Sequence, residues 1–269
     1  MPWGTPLKTH VKPEGLRQDC PPSKAFDPLI GLLLYDSGMG FMRTIAIAIS
    51  VAGLGSAMWA AEETKTNERL DDAGAVFSEV MSTPDKTIPQ DLLNKSHCII
   101  VVPGLKKGGL VVAAKYGRGF VACRAASGQG WGAPGAVRIE GGSFGLQIGI
   151  SSTDLILLVM NERGMKRLLT SKFTLGGDAS VAAGPVGRDA TAQTDVLMTA
   201  EILSWSRSRG AFAGVSLDGS TLRNDIDVNA EMYGQRWENK QILMSGLAPP
   251  AGAAKLIAAL NKYSPRETR

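Results

Sequence analysis

Groups that commonly carry chemistry are scarce in this chain. Its 269 residues include two histidines and three cysteines. His10 lies in a proline-rich leader, so His97 is alone in the rest of the sequence, and a multi-histidine metal site there is excluded. His97 precedes an apolar strand-like run beside Cys98, where a structural role outweighs that of a general base. Neither G-x-S-x-G nor H-E-x-x-H occurs. Gly117-x-Gly119-x-x-Ala122 has the outline of a dinucleotide fingerprint, but it lies inside strand-like sequence instead of opening a helix. Gly104-Leu105-Lys106-Lys107-Gly108-Gly109 has the look of a phosphate loop, yet it lacks the P-loop spacing and reads as a turn between strands. Asp195 with Glu201, and Asp225 with Asp227, give no acid–base assignment. These absences disfavour an enzyme, and they imply no cofactor and no metal.

Charge of one sign is also in short supply. A formal excess of +4 from 29 basic and 25 acidic groups is too small and too scattered to predict nucleic acid as a partner. Apolar runs are short, and the longest, near Ile45 to Leu54, is below membrane length.

Glycine, in contrast, is abundant at 32 residues without a fixed period, which points to turns, bulges and close backbone approaches rather than to a collagenous chain. From Trp131 to Leu217 these glycines punctuate short runs of Val, Ile and Leu, the pattern of strands joined by tight connections.

Met1 to Phe41 is rich in proline and reads as a disordered extension or a misplaced start. Met42 to Ala60 has one Arg, an apolar run and small residues in the order of a signal peptide. From Ala61 to Arg269 no polar linker divides the sequence, so one domain is expected.

Within that domain Leu70, Ala73, Phe77 and Val80 recur at helical spacing and predict a helix over 67–81, with Thr66 or Asn67 as its cap. Cys98 to Val102 reads as a strand ended by Pro103-Gly104, and Gly109 to Lys115 and Gly119 to Arg124 read as strands flanking Tyr116-Gly117-Arg118. Asn161 to Leu169 is a short helix capped by Asn161, and Ala251 to Asn261 is a terminal helix. Cys98 and Cys123 are a candidate disulfide in an oxidising compartment, or else two buried free thiols.

No Asp or Glu falls between Lys95 and Arg124. Lys106, Lys107, Lys115, Arg118 and Arg124 therefore make a locally basic stretch, a candidate site for lipid headgroup phosphates if the side chains share one face.

Several strings then resemble the SYLF domain family, a lipid-binding module also named for a yeast actin-patch protein. They are Trp131-Gly-Ala-Pro134, Phe144-Gly-Leu-Gln147-Ile-Gly149, Thr153-Asp154, Thr174-Leu-Gly-Gly-Asp178, Val181-Ala-Ala-Gly184-Pro-Val-Gly187-Arg188, Ser204-Trp-Ser206, Gly210-Ala-Phe-Ala-Gly214-Val-Ser-Leu217, Tyr233-Gly234 and Ile242-Leu-Met-Ser-Gly246. The resemblance implies phospholipid binding and, in some members, actin binding beside an SH3 domain. Combined with the signal-like segment, it suggests a bacterial exported member. The expected architecture is α+β, a single domain with a mostly antiparallel, strongly curved or barrel-like sheet and flanking helices.

The expected function is that of a non-catalytic envelope protein, periplasmic or secreted and peripheral to the membrane, that binds anionic phospholipid through the basic stretch. A structural or protein-binding envelope factor with an envelope protein partner is the alternative. On this reading actin is disfavoured as a partner.

Overall fold

A computed structural model describes residues 64–83, 87–109, 112–125, 130–144, 149–186, 199–208, 211–212 and 216–265, all within a compact unit spanning Ala52–Arg269. The expectations for Met1 to Ala60 lie outside the described residues.

Helix α1 covers 64–82 and buries the stripe that its sequence spacing predicts: Leu70, Ala73, Phe77 and Val80 are at most 2% exposed. The helix already includes residue 64, so Thr66 is inside it and is no cap; its hydroxyl donates to Glu231 Oε2 at 2.5 Å. A short helix, α2 (Gln90–Lys95), leads into the sheet.

The sheet strands are β1 (Cys98–Gly109), β2 (Val112–Cys123), β3 (Gly135–Phe144), β4 (Gly149–Val159), β5 (Lys172–Thr174), β6 (Val181–Ala183), β7 (Ile202–Ser208), β8 (Ala211–Phe212) and β9 (Thr221–Asn224). Their order is β5-β9-β3-β2-β1-β4-β7-β6, with β8 paired to β7. All these pairings are antiparallel except β6 with β7. Helix α3 (Glu162–Leu168) follows β4, and the Asn161 side chain accepts from Gly164 N as its cap. Helices α4 (Ile226–Tyr233), α5 (Asn239–Met244) and α6 (Ala254–Tyr263) complete the chain.

Side chains alternate across the sheet, so two cores form. On the helical face Ile99, Val101, Phe120, Ala122 and Ile156 pack with Phe77 of α1, Leu93 of α2 and Leu256 of α6. On the inner face Ile100, Val102, Val121 and Leu157 pack with Phe173 of β5, Leu222 of β9 and Ile202 of β7. Strands from both ends of the order thus share one core, as a strongly curved, half-barrel-like sheet requires. The fold is α+β, with this curved sheet flanked by helices.

Helices α4 and α5 are fastened to β3 through two buried amides. Asn229 Oδ1 accepts from Ala136 N at 2.7 Å, Asn239 Nδ2 donates to Ala136 O at 2.9 Å, and Asn229 Nδ2 donates to Asn239 Oδ1 at 2.9 Å. Burying these groups together satisfies polar atoms that would each be costly if left alone.

Two sequence expectations fail around β1 and β2. Pro103-Gly104 does not end the first strand; it is absorbed as a bulge, with Gly104 at φ 61° and the register shifting between Val101 and Lys106. Gly117 and Gly119 do not break the second strand either. A Cβ on Gly119 would lie 2.1 Å from Val101 O and 2.7 Å from Val102 Cα, so glycine lets the two strands approach where they curve. The predicted hairpin at 116–118 is therefore one continuous strand, and the β1–β2 connection follows Gly109.

Candidate functional site

Because Lys106 and Lys107 are neighbours on a strand, they project to opposite faces. Lys106 pairs with Tyr116 and Ser152 on the helical face, and Lys107 pairs with Lys115 and Ser151 on the inner face. The five basic residues expected to form one lipid-binding surface are thus divided.

Two of them serve the fold. Arg118 Nε lies 2.9 Å from Oδ2 of Asp225, a carboxylate 1% exposed. Burial acts to lower the Arg118 pKa, but Asp225, then Tyr116 and Glu231, outweigh it and raise the value. Arg124 stacks its guanidinium 4.1 Å from the Trp131 ring centroid and donates to Ser264 O at 2.6 Å and Leu93 O at 2.9 Å. It ties the ends of α2, β2 and α6 together. Lys115 is also buried, and its ammonium donates to Ser216 O at 2.5 Å.

Cys98 and Cys123 stand opposite each other in the β1–β2 pairing, and their sulfurs are bonded. His97 is exposed, and the described residues contain no group of three or more His, Cys, Asp or Glu able to hold a metal.

Between α1 and the β1 bulge lies an open cleft of about 560 Å³, lined on one side by Lys65, Arg69, Asp72 and Glu79 and on the other by Gly104, Lys106, Asp154 and Arg207. Arg207, only 11% exposed at its side chain, joins the two sides: Nη1 is 2.8 Å from Glu79 Oε1 and Nη2 is 3.1 Å from Asp154 Oδ2. Asp154 Oδ1 also accepts from the bulge residue Gly104 N at 3.0 Å. The hydrogen bond with Glu79 is the main influence holding the Arg207 pKa above its ordinary value, and the same contact lowers Glu79.

Arg207 is not among the basic residues that the sequence singled out. The available signal was its place one residue beyond Ser204-Trp205-Ser206, where strand alternation continues and puts Arg207 and Trp205 on one face. Trp205 in turn donates from Nε1 to Pro185 O at 2.8 Å and packs where a Cβ on Gly184 would be 2.0 Å from its ring. Two strings separated in sequence thereby meet in the parallel β6–β7 pair.

Residues 140–263 match the family model Ysc84, described as Las17-binding protein actin regulator. Over this segment the chain is similar to the Ysc84 family. The matched segment runs from the later half of β3 to the last residue of α6. The SH3 domain-containing YSC84-like protein 1 of Rattus norvegicus is 34% identical over 191 residues, 70% of this chain and 56% of that protein. Its Homo sapiens counterpart is 34% identical over 191 residues, covering 70% and 55%. LAS seventeen-binding protein 3 of Saccharomyces cerevisiae is 33% identical over 181 residues, covering 65% and 39%. The chain thus spans about half the length of the mammalian relatives and less of the yeast one.

These relatives overturn the bacterial reading. They are eukaryotic, and the family description names an actin regulator, so the assignments to a bacterial exported member and to an envelope lipid binder or envelope structural factor are withdrawn. The signal peptide and the periplasmic or secreted location go with them, as do the envelope partner and the exclusion of actin. The signal-like reading of Met42 to Ala60 rested on one arginine and an apolar run, a composition that export shares with ordinary buried segments. The Ysc84 description is that of a binding protein and regulator, and the domain is non-catalytic.

Proposed function

We propose that residues 61–269 form a lipid-surface-binding domain that works in actin regulation. The actin part is supported by the family description and the yeast relative's name.

The lipid part rests on one observation, the basic end of the sheet. Strands β1, β3 and β7 end here, where Lys106 is exposed on one face and Lys107 is half-buried on the other. Asp154 at this end is engaged by Arg207 and by the backbone N of Gly104. Each lysine near an anionic leaflet contributes about 1 kcal/mol, so replacing both by glutamine weakens binding about 30-fold.

The test is co-sedimentation of the full chain with phosphatidylserine-containing and neutral vesicles at two salt concentrations, with filamentous actin in a parallel arm. Expected are salt-weakened binding to the anionic vesicles, its loss in the Lys106→Gln/Lys107→Gln variant, and pelleting with actin. Equal, weak sedimentation with both vesicle types overturns the lipid reading, and absence from the actin pellet overturns a direct actin contact.

A further inference from the structure

Four basic residues stand directly opposite one another on the helical face of the sheet. Arg118 of β2 pairs with Arg138 of β3, Arg138 with Arg223 of β9, and Arg223 with Lys172 of β5. Their sequence neighbours fix the face: Val137, Leu222 and Phe173 enter the inner core, so alternation turns Arg138, Arg223 and Lys172 the other way. Adjacent strands lie about 4.8 Å apart, so the row extends about 14 Å across the sheet.

The protein's own carboxylates answer this row unevenly. Asp225, at the start of α4, takes Arg118 Nε at 2.9 Å. Glu140, two residues along β3, serves the next two members, with Oε1 3.0 Å from Arg138 Nε and Oε2 3.4 Å from Arg223 Nη1. Lys172 is exposed, and its ammonium has no ion pair or hydrogen bond among the described residues. Strand β5 is the last in the order, so the row runs out of acids as it reaches the sheet edge. Arg223, with 41% of its side chain exposed, shares its one described carboxylate with Arg138 and faces Lys172 directly. Like charges directly opposite one another destabilise a sheet, and here the protein supplies no acid of its own to Lys172.

We infer that the outer end of this row, Arg223 and Lys172 with Arg138 behind them, docks a protein segment rich in aspartate and glutamate. Glu140 already shows the chemistry, one carboxylate set between two guanidinium groups, and the space between Arg223 and Lys172 is the next such position along the row. The planar guanidinium fork of Arg223 matches a planar carboxylate. Glu140 and Asp225, interleaved with the cations, disfavour a phosphate chain or an anionic bilayer, whose closely repeated charges they repel. A peptide can instead place a neutral or basic residue over Glu140 and its acids over Arg223 and Lys172. The inference goes beyond the lipid-surface reading: Lys172 lies on β5, four strands from Lys106 on β1, and on the opposite face from Lys107.

The test is fluorescence polarisation of a labelled oligoglutamate peptide with the full chain at low and high salt. Binding that salt weakens is expected. Lys172→Gln/Arg223→Gln weakens it about tenfold, and Lys172→Gln alone, which removes no described contact and so leaves the fold intact, weakens it about threefold. Glu140→Gln releases Arg138 and Arg223 from their internal carboxylate and tightens binding, whereas Asp91→Asn, the same change of charge on α2, does not. Lys106→Gln/Lys107→Gln keeps the parent affinity. No binding, or equal binding by the parent and Lys172→Gln/Arg223→Gln, overturns the inference. So does a single-stranded oligonucleotide or a phosphatidylserine vesicle that binds more tightly than oligoglutamate and loses affinity in that same variant. The vesicle test above reads Lys106 and Lys107, so the two readings fail separately.

Discussion

Replacing Gly119 by alanine tests the account of the sheet most directly. The added methyl would lie 2.1 Å from Val101 O and 2.7 Å from Val102 Cα, both backbone atoms of the adjacent strand. Contacts under 3.0 Å are not tolerated, and a carbonyl in the centre of a sheet cannot rotate away as a side chain can. Strands β1 and β2 must therefore separate by about an ångström beside the Pro103-Gly104 bulge, which disturbs inner-face packing at Val102 and Val121. Overpacking of this kind costs about 1–3 kcal/mol, and the rigid backbone contact places Gly119→Ala at or above the upper value. For a domain near 200 residues each kcal/mol moves Tm by about 2–4 °C, so a fall of about 6–12 °C is expected. Gly142→Ala is the control, since a Cβ there meets nothing within 4 Å. Thermal unfolding followed by circular dichroism compares the two. Equal Tm values for the two variants refute the close-approach argument.

Three further outcomes follow from the ion pairs and the bridge. Arg207→Met removes one exposed and one half-buried ion pair and is expected to cost about 2 kcal/mol by urea unfolding; a double-mutant cycle with Asp154→Asn that shows no coupling refutes the bridging role. Because Arg207 lowers the Glu79 pKa, this pair stabilises the fold above the usual carboxylate range near pH 4, and the gain is lost as pH falls through the lowered folded value. The stability difference between the parent and Arg207→Met should shrink as pH falls through that window, and a constant difference argues against the linkage. Reducing the Cys98–Cys123 bridge, which closes a 25-residue separation, should cost about 3.5 kcal/mol in the chain-entropy account, and an unchanged denaturant midpoint after complete reduction, verified by thiol titration, contradicts it.

What could be read from the sequence was local. The α1 stripe, the Asn161 cap and the terminal helix depend on residues three or four apart, and each has its predicted place. The curved, mostly antiparallel sheet was expected from the resemblance to the SYLF family, with glycines that permit the curvature. Strand ends were not, because Pro103-Gly104 and Gly117 normally mark turns, and only the neighbouring strand's approach turns them into a bulge and a tight crossing. The basic stretch was misjudged for the same reason: once Lys106 and Lys107 lie in a strand and not a turn, alternation separates them. The partners that occupy Arg118 and Arg124, Asp225 and Ser264, are far along the chain, beyond any window of local pattern.

The clasp at Arg124 also bears on when the protein can fold. Its partner Ser264 lies 140 positions later, and Trp131 Nε1 donates to the same Ser264 carbonyl at 3.1 Å. The helical face of the early strands is covered in part by Leu256 and Leu260 of α6, among the last described residues to leave the ribosome. During synthesis β1 and β2 therefore pair while part of their helical face is still uncovered, and the emergence of α6 closes it. Nascent chains of this protein should engage holding chaperones until the C-terminal helix emerges, and a stop codon before Ala254 should leave a protein that aggregates instead of one that is merely shorter.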